Sequence, residues 1–195
     1  MTSFPKNGKT TIHEVGLPAH RYWQAHELIT IGTFAALIKT ITILIAIAGG
    51  GMNPVSLVVK NAVATSLLII LLFKVPKFGV LTLFSFISTL VALIFMGGNL
   101  MMMAGVLVAG IVCDGFLFIL NGYHKVIPML LGITLFDLMS RGISLGYSWF
   151  FFREESSLFM MGVVVVAVGY VGCLIGLPAG IMFAKELRHA GIIRE

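Results

Sequence analysis

Five charged side chains stand within or at the edges of the long apolar stretches of this chain: Lys39, Lys60, Asp114, Asp137 and Arg141. A charge inside a bilayer costs about 2.5 to 3.5 kcal/mol on insertion scales, so the position of each is more informative than that of any loop charge. Asp137 and Arg141 are four residues apart. That spacing puts both on one helix face, where they can pair and reduce each other's desolvation cost. The pair reads as a structural ion pair at least as readily as a substrate clamp. Lys60, next to Asn61, lies about a turn and a half beyond Pro54, within snorkelling range of an interface, and is placed to close over a bound anion. Asp114 falls toward the inner end of its stretch and reads as a structural or docking group.

The elements that must position these groups are set by composition. The 195 residues are 58% hydrophobic and only 11% charged, with mean hydropathy +1.05. Those values lie outside what a soluble domain tolerates, so the solvent is lipid. A spanning helix needs about 20 apolar residues to cross roughly 30 Å of hydrocarbon. Six stretches qualify, near 28–48, 55–73, 78–97, 100–121, 126–150 and 158–184. Outer-membrane barrel strands alternate apolar and polar residues, and the runs Leu67 to Phe73 and Met161 to Ala167 do not. The expected fold is therefore an all-α membrane protein of six transmembrane helices. It divides into a polar, interfacial segment 1–27, one compact six-helix domain 28–185 and a tail 186–195.

Basic residues set the orientation, because a positive excess marks the cytoplasmic side. With the N-terminus inside, the inner segments hold Lys6, Lys9, Arg21, Lys74, Lys77, Lys125, Lys185, Arg188 and Arg194, and the outer loops hold Arg153 alone. Both termini are expected in the cytoplasm of a prokaryote. Topology and anionic lipid headgroups account for the net charge of +5, and no basic patch with interleaved aromatics points to nucleic acid. Lys6 and Lys9 precede no apolar core of a signal peptide, so the first span is expected to act as the insertion signal. Tyr22 and Trp23 stand at the membrane entrance, and segment 18–27 is expected to form a short surface helix.

Other familiar chemistry is missing. His20 and His26 are six residues apart, which does not suit a helical metal pair. Cys113 and Cys173 lie within predicted spans without CxxC spacing and read as small apolar residues. The sequence has no HExxH and no phosphate-binding Gly-rich loop, so it is not expected to hydrolyse ATP by itself. Gly172, Gly176 and Gly180 form the clearest set of small residues at helix-packing spacing, followed by Gly32 with Ala36 and Gly105 with Ala109. Pro178 should kink the last span, whereas Pro128 falls near the start of the fifth, where it is tolerated.

A rim of different character is expected at the outer face. Gly49, Gly50, Gly51, Met52, Asn53 and Pro54 follow the first span, and Gly97, Gly98, Asn99 and Met101 to Met103 separate the third from the fourth. Tyr147, Trp149 and Phe150 to Phe152 add flat apolar surface that suits a planar ligand, or an aromatic belt at the interface. The candidate substrate-binding set is Met52, Asn53, Lys60, Asn99, Met103, Arg141, Tyr147 and Trp149.

The chain resembles a known family through Lys77-Phe78-Gly79 opening the third span, Gly110-Ile111-Val112-Cys113-Asp114-Gly115 in the fourth, and the tail Ala184 to Ile192. The order of these parts is similar to the S component of energy-coupling factor (ECF) transporters. These are small six-helix membrane proteins that bind vitamins or other micronutrients. The tail is similar to the K-x-x-x-x-H-x-x-A-G-I ending of the Trep_Strep branch, with His189 displaced. The resemblance implies a non-catalytic substrate-capture subunit without a required cofactor. Its partners would be a transmembrane coupling subunit and two ATP-binding cassette subunits, which supply the energy. It also implies a site in the extracellular half beneath the loop between spans one and two, hinged at Gly49 to Gly51, and a substrate among vitamins, transition-metal ions or haem. The family presents an Ala-x-x-x-Ala surface on its first helix to the coupling subunit; Gly32 and Ala36 stand at that place, with Gly replacing the first Ala.

Two other classes carry their own expectations. A stand-alone secondary transporter or channel needs Lys39, Asp114, Asp137 and Arg141 to face a common cavity. A membrane-embedded enzyme would have to use His124 and Asp114, which have no recognisable partner Ser or Cys.

Overall fold

The computed structural model describes residues 22–50, 53–96, 100–120, 122–151 and 156–189. They form α1 (Ala25–Ala48), α2 (Pro54–Lys74), α3 (Val80–Met96), α4 (Leu100–Ile119), α5 (Val126–Phe151) and α6 (Ser156–His189), with a single 3-10 turn at Gly122–His124. Four helices are long and apolar enough to cross a membrane by length and composition. At 17 residues, α3 is about 26 Å long, slightly less than a typical hydrocarbon core, and α4 is also counted among the shorter apolar helices. Large apolar side chains point outward all round the bundle, Ile94 being 77% exposed and Ile119 80%. Lipid is the solvent that satisfies such a surface.

Helix boundaries follow local chemistry. The expected surface helix over 18–27 does not form among the described residues: Tyr22 to Gln24 are non-helical and α1 begins at Ala25. The Glu27 carboxylate accepts the Gln24 N–H at 3.0 Å and the Lys77 Nζ at 2.8 Å, so it caps α1 while tying its start to the segment before α3. Lys77 also donates to the Tyr22 carbonyl at 3.0 Å. Gly79 has φ +92°, a conformation that L side chains rarely adopt, and α3 therefore starts at Val80 rather than at 78. Pro178 lies inside α6 without ending it, and the helix continues through the basic tail to His189. Its 34 residues span about 51 Å, more than a bilayer core requires.

Packing is uneven along the bundle axis. Gly172, Gly176 and Gly180 of α6 lie directly on α2: a Cβ at Gly176 would stand 2.5 Å from the Ala62 carbonyl oxygen, and one at Gly172 the same distance from that of Val58. Ser66 Oγ donates across this contact to the Gly176 carbonyl at 3.0 Å. Gly105 and Ala109 pack internally as well, Gly105 against Ile143 of α5. The buried core draws on α1 up to its middle (Ile31, Ala35, Ile38), the last turns of α2 (Leu68, Ile69, Leu71, Leu72), the start of α3 (Val80, Leu81, Phe84), the second half of α4 (Ala109, Cys113, Leu117) and the start of α5 (Met129, Ile133). All of these belong to one end of the bundle. Lys74, Lys77, Lys125 and Lys185 gather at that end too.

Candidate functional site

The other half of the bundle is hollow. A cavity of about 690 Å³ lies among α1 to α5, toward the end where α1 finishes and α2 begins. Its walls are mainly apolar, formed by Ile38, Ile43, Ala46, Ile47, Leu68, Phe84, Val106, Ile133 and Phe136. The polar groups on it are Lys39 and Thr42 of α1, Lys60, Asn61 and Thr65 of α2, Ser88 of α3, and Asp137 and Ser140 of α5. An apolar chamber with a few convergent polar groups is the usual form of a small-molecule site.

Helix register explains why two lysines meet there. Lys39 precedes the end of α1 by nine residues, about 14 Å, and Lys60 follows the start of α2 by six, about 9 Å. Because the helices run in opposite directions, both side chains fall in the same half of the bundle, within electrostatic reach of each other. Arg141 is within reach of Lys60 in turn. The guanidinium is occupied, however: Arg141 Nε donates to Asp137 Oδ2 at 2.8 Å and Nη2 to Oδ1 at 2.9 Å. This two-pronged geometry neutralises both partners and holds the carboxylate rigidly at the cavity wall. Gly169 of α6 makes room for it, since a Cβ there would collide with Arg141 Nη1 and lie 2.8 Å from Asn61 Nδ2. With Asp137 and Arg141 paired to each other, Lys39 and Lys60 have no carboxylate partner among the described residues. Asn61 Nδ2 is buried and likewise has no hydrogen-bond partner there.

Of the residues singled out from sequence, Lys60 lines the cavity and Arg141 stands behind its wall through Asp137. Asn53 is exposed and caps α2, its Oδ1 accepting the Val55 N–H at 3.2 Å and its carbonyl the Ser56 hydroxyl at 2.8 Å. Tyr147 lies at the α4–α5 contact, its ring 3.5 Å from where a Gly105 Cβ would stand, and Trp149 is 52% exposed; neither lines the cavity. Met52 and Asn99 lie outside the described residues, as does Gly51, and Met103 is placed only by its backbone in α4. Gly49 approaches Ser56 closely, and Gly50, with φ +68°, borders the cavity. Gly32 and Ala36 lie on an open side of α1, where a Cβ added at Gly32 would meet nothing within 4 Å. Sequence reasoning missed Thr42, Thr65, Ser88 and Ser140 as cavity-lining groups; isolated hydroxyl residues within apolar runs carry no spacing signal.

Asp114 belongs to the opposite end. It is 1% exposed and accepts four hydrogen bonds, from the backbone N–H of Leu81 and Thr82 at 3.3 and 2.7 Å, Thr82 Oγ1 at 2.7 Å and the Tyr123 hydroxyl at 2.8 Å. The carboxylate thereby caps α3 from α4, where the helix dipole favours negative charge. Burial, reinforced by the Asp114 charge, pushes the Tyr123 phenol up, so it stays protonated and donating. These bonds explain the two quoted motifs, since Gly79 turns the chain into α3 and Gly110 lets α4 approach it, a Cβ there standing 3.1 Å from the Thr82 Cα. Asp114 therefore does not share the cavity with Lys39 and Asp137. Among the described residues no group of three or more His, Cys, Asp or Glu is placed to hold a metal ion.

Comparison with known proteins adds one match. No curated protein matches the chain, and no solved structure does. The family model described as "Hypothetical bacterial integral membrane protein (Trep_Strep)" matches residues 25–157, from the start of α1 to the start of α6 and around the whole cavity. With well over half of its length covered, the chain belongs to the Trep_Strep family of bacterial integral membrane proteins.

Proposed function

We propose that this protein is the substrate-binding S component of an ECF-type ABC importer. It captures a micronutrient, a vitamin or a haem-like cofactor, outside the cell for uptake powered by partner subunits. The observation that carries this reading is the asymmetry of the bundle: a 690 Å³ chamber in one half, closed by a packed core in the other. A chamber with a solid floor binds a solute and does not conduct it. Delivery of the solute to the far side then needs a movement of the whole subunit or a partner, and the chain has no nucleotide-binding motif of its own. The clustering of Lys74, Lys77, Lys125 and Lys185 at the solid end supports six spans in the cytoplasmic membrane, with both termini inside and the chamber facing outward. The open Gly32 and Ala36 side of α1 is the surface assigned to a transmembrane coupling subunit, which would join two ATP-binding cassette subunits. Asp114 is committed to capping α3, which supports a non-catalytic role.

A second reading has one observation in its favour. Lys39 and Asp137 do face a common chamber, as a stand-alone secondary transporter would require. Gentle purification followed by an ultraviolet-visible spectrum and ligand mass spectrometry tests the capture role. A retained vitamin, or a Soret band from haem, is the expected result. A preparation that is empty, and that then binds no vitamin or haem with a Kd better than about micromolar, roughly −8 kcal/mol, would remove its basis.

A further inference from the structure

Lys39 and Lys60 share a largely apolar chamber with no carboxylate left to pair with them among the described residues. Within the bundle such charges are costly, and the protein already holds a carboxylate there, Asp137, which it commits to Arg141. Two like charges within reach of each other add repulsion to that cost. The Asn61 Nδ2 beside them also has no acceptor, but it is sealed off from the chamber, on the side of Gly169 and the Arg141 guanidinium. The unpaired side chains on the chamber surface, among the described residues, are these two lysines, while the facing walls are Ile38, Leu68, Phe84 and Phe136.

We infer that the chamber is built for an amphipathic dianion: an apolar body carrying two negative charges, held by the ammonium groups of Lys39 and Lys60. The inference rests on reading the chamber as the substrate site and narrows the class of substrate. Binding would supply the missing acceptors and relieve the repulsion between the lysines, so empty protein is less stable than loaded protein by mass action. Neutral or cationic solutes of the same shape would leave both charges unpaired and be rejected.

The test uses two bodies in matched charge series on the full-length protein in nanodiscs of zwitterionic lipid. One series is dodecanedioate with its monomethyl and dimethyl esters; the other is protoporphyrin IX with its dimethyl ester. Binding is read by isothermal calorimetry and by the ligand-induced rise in melting temperature. The expected result is that at least one dianion binds more than about tenfold tighter than its diester, a difference of 1.4 kcal/mol or more. Lys39→Met and Lys60→Met should each abolish most of that preference while raising the melting temperature of the empty protein, because each removes an unpaired charge. That second readout shows that the variants fold. Equal affinity for dianion and diester, a preference that survives both substitutions, or no binding of either dianion would overturn the inference. Co-purification with ATP-binding subunits is scored on the same preparations. Partners without a dianion preference would sink the substrate class alone, and a lysine-dependent preference without partners would sink the capture-subunit reading alone.

Discussion

At the residue scale, two carboxylates in similar apolar surroundings have different tasks, and their donors set the difference. Asp137 meets a guanidinium four residues along its own helix, and Asp114 meets two backbone N–H groups and two hydroxyls from other segments. Stranding a buried donor costs about 1–3 kcal/mol, so Asp114→Ala should destabilise the protein by roughly 3 kcal/mol or more, visible as a large drop in melting temperature in detergent. Weak destabilisation would mean that α3 does not depend on this cap. The Asp137–Arg141 pair could be read from the sequence because both partners lie on one helix at a fixed spacing. The bonds to Asp114 could not, since Leu81 and Thr82 are more than thirty residues away in sequence and their proximity depends on how α3 and α4 pack.

Among the elements, α2 is held by α6 through a glycine seam and by the chamber-lining helices on its other side. Gly176→Leu would drive a side chain into the Ala62 carbonyl and Thr65, and overpacking at a backbone contact should cost at least the usual 1–3 kcal/mol or so. Gly32→Leu makes the paired control: it meets open space, so the isolated protein should melt within about 1 °C of wild type, a shift worth only a few tenths of a kcal/mol. If the first substitution is silent, the α2–α6 contact is not close-packed. Hydropathy alone placed all six helices to within a few residues, because length and apolarity are properties of each segment by itself. It did not show which of the rim aromatics line the chamber. Tyr147 and Trp149 suited a ligand by type, but the rotation of α5 turns them away from the chamber, and single-sequence periodicity in an all-apolar helix does not fix rotation.

For the molecule as a whole, the solid end and the hollow end should face opposite sides of the membrane. Single cysteines at Lys125 and Lys185, both exposed at the solid end, should react with a membrane-impermeant maleimide only in inside-out vesicles, and one at Asn53 only in intact cells. The native Cys113 and Cys173 are buried and should stay silent. The reverse pattern would turn the chamber toward the cytoplasm and exclude capture from outside. The hollow itself was not legible in the sequence, because a cavity is what the packed helices around it leave unfilled; only its charges, Lys39, Lys60 and Asp137, stood out along the chain. The most direct measurement is affinity purification of the tagged protein from its native membrane, with mass spectrometry of everything bound. The predicted result is a transmembrane coupling subunit and two ATP-binding cassette subunits, all lost on Gly32→Leu. Protein that purifies alone and moves its solute across proteoliposomes on an ion gradient would contradict the capture-subunit reading and establish an independent carrier.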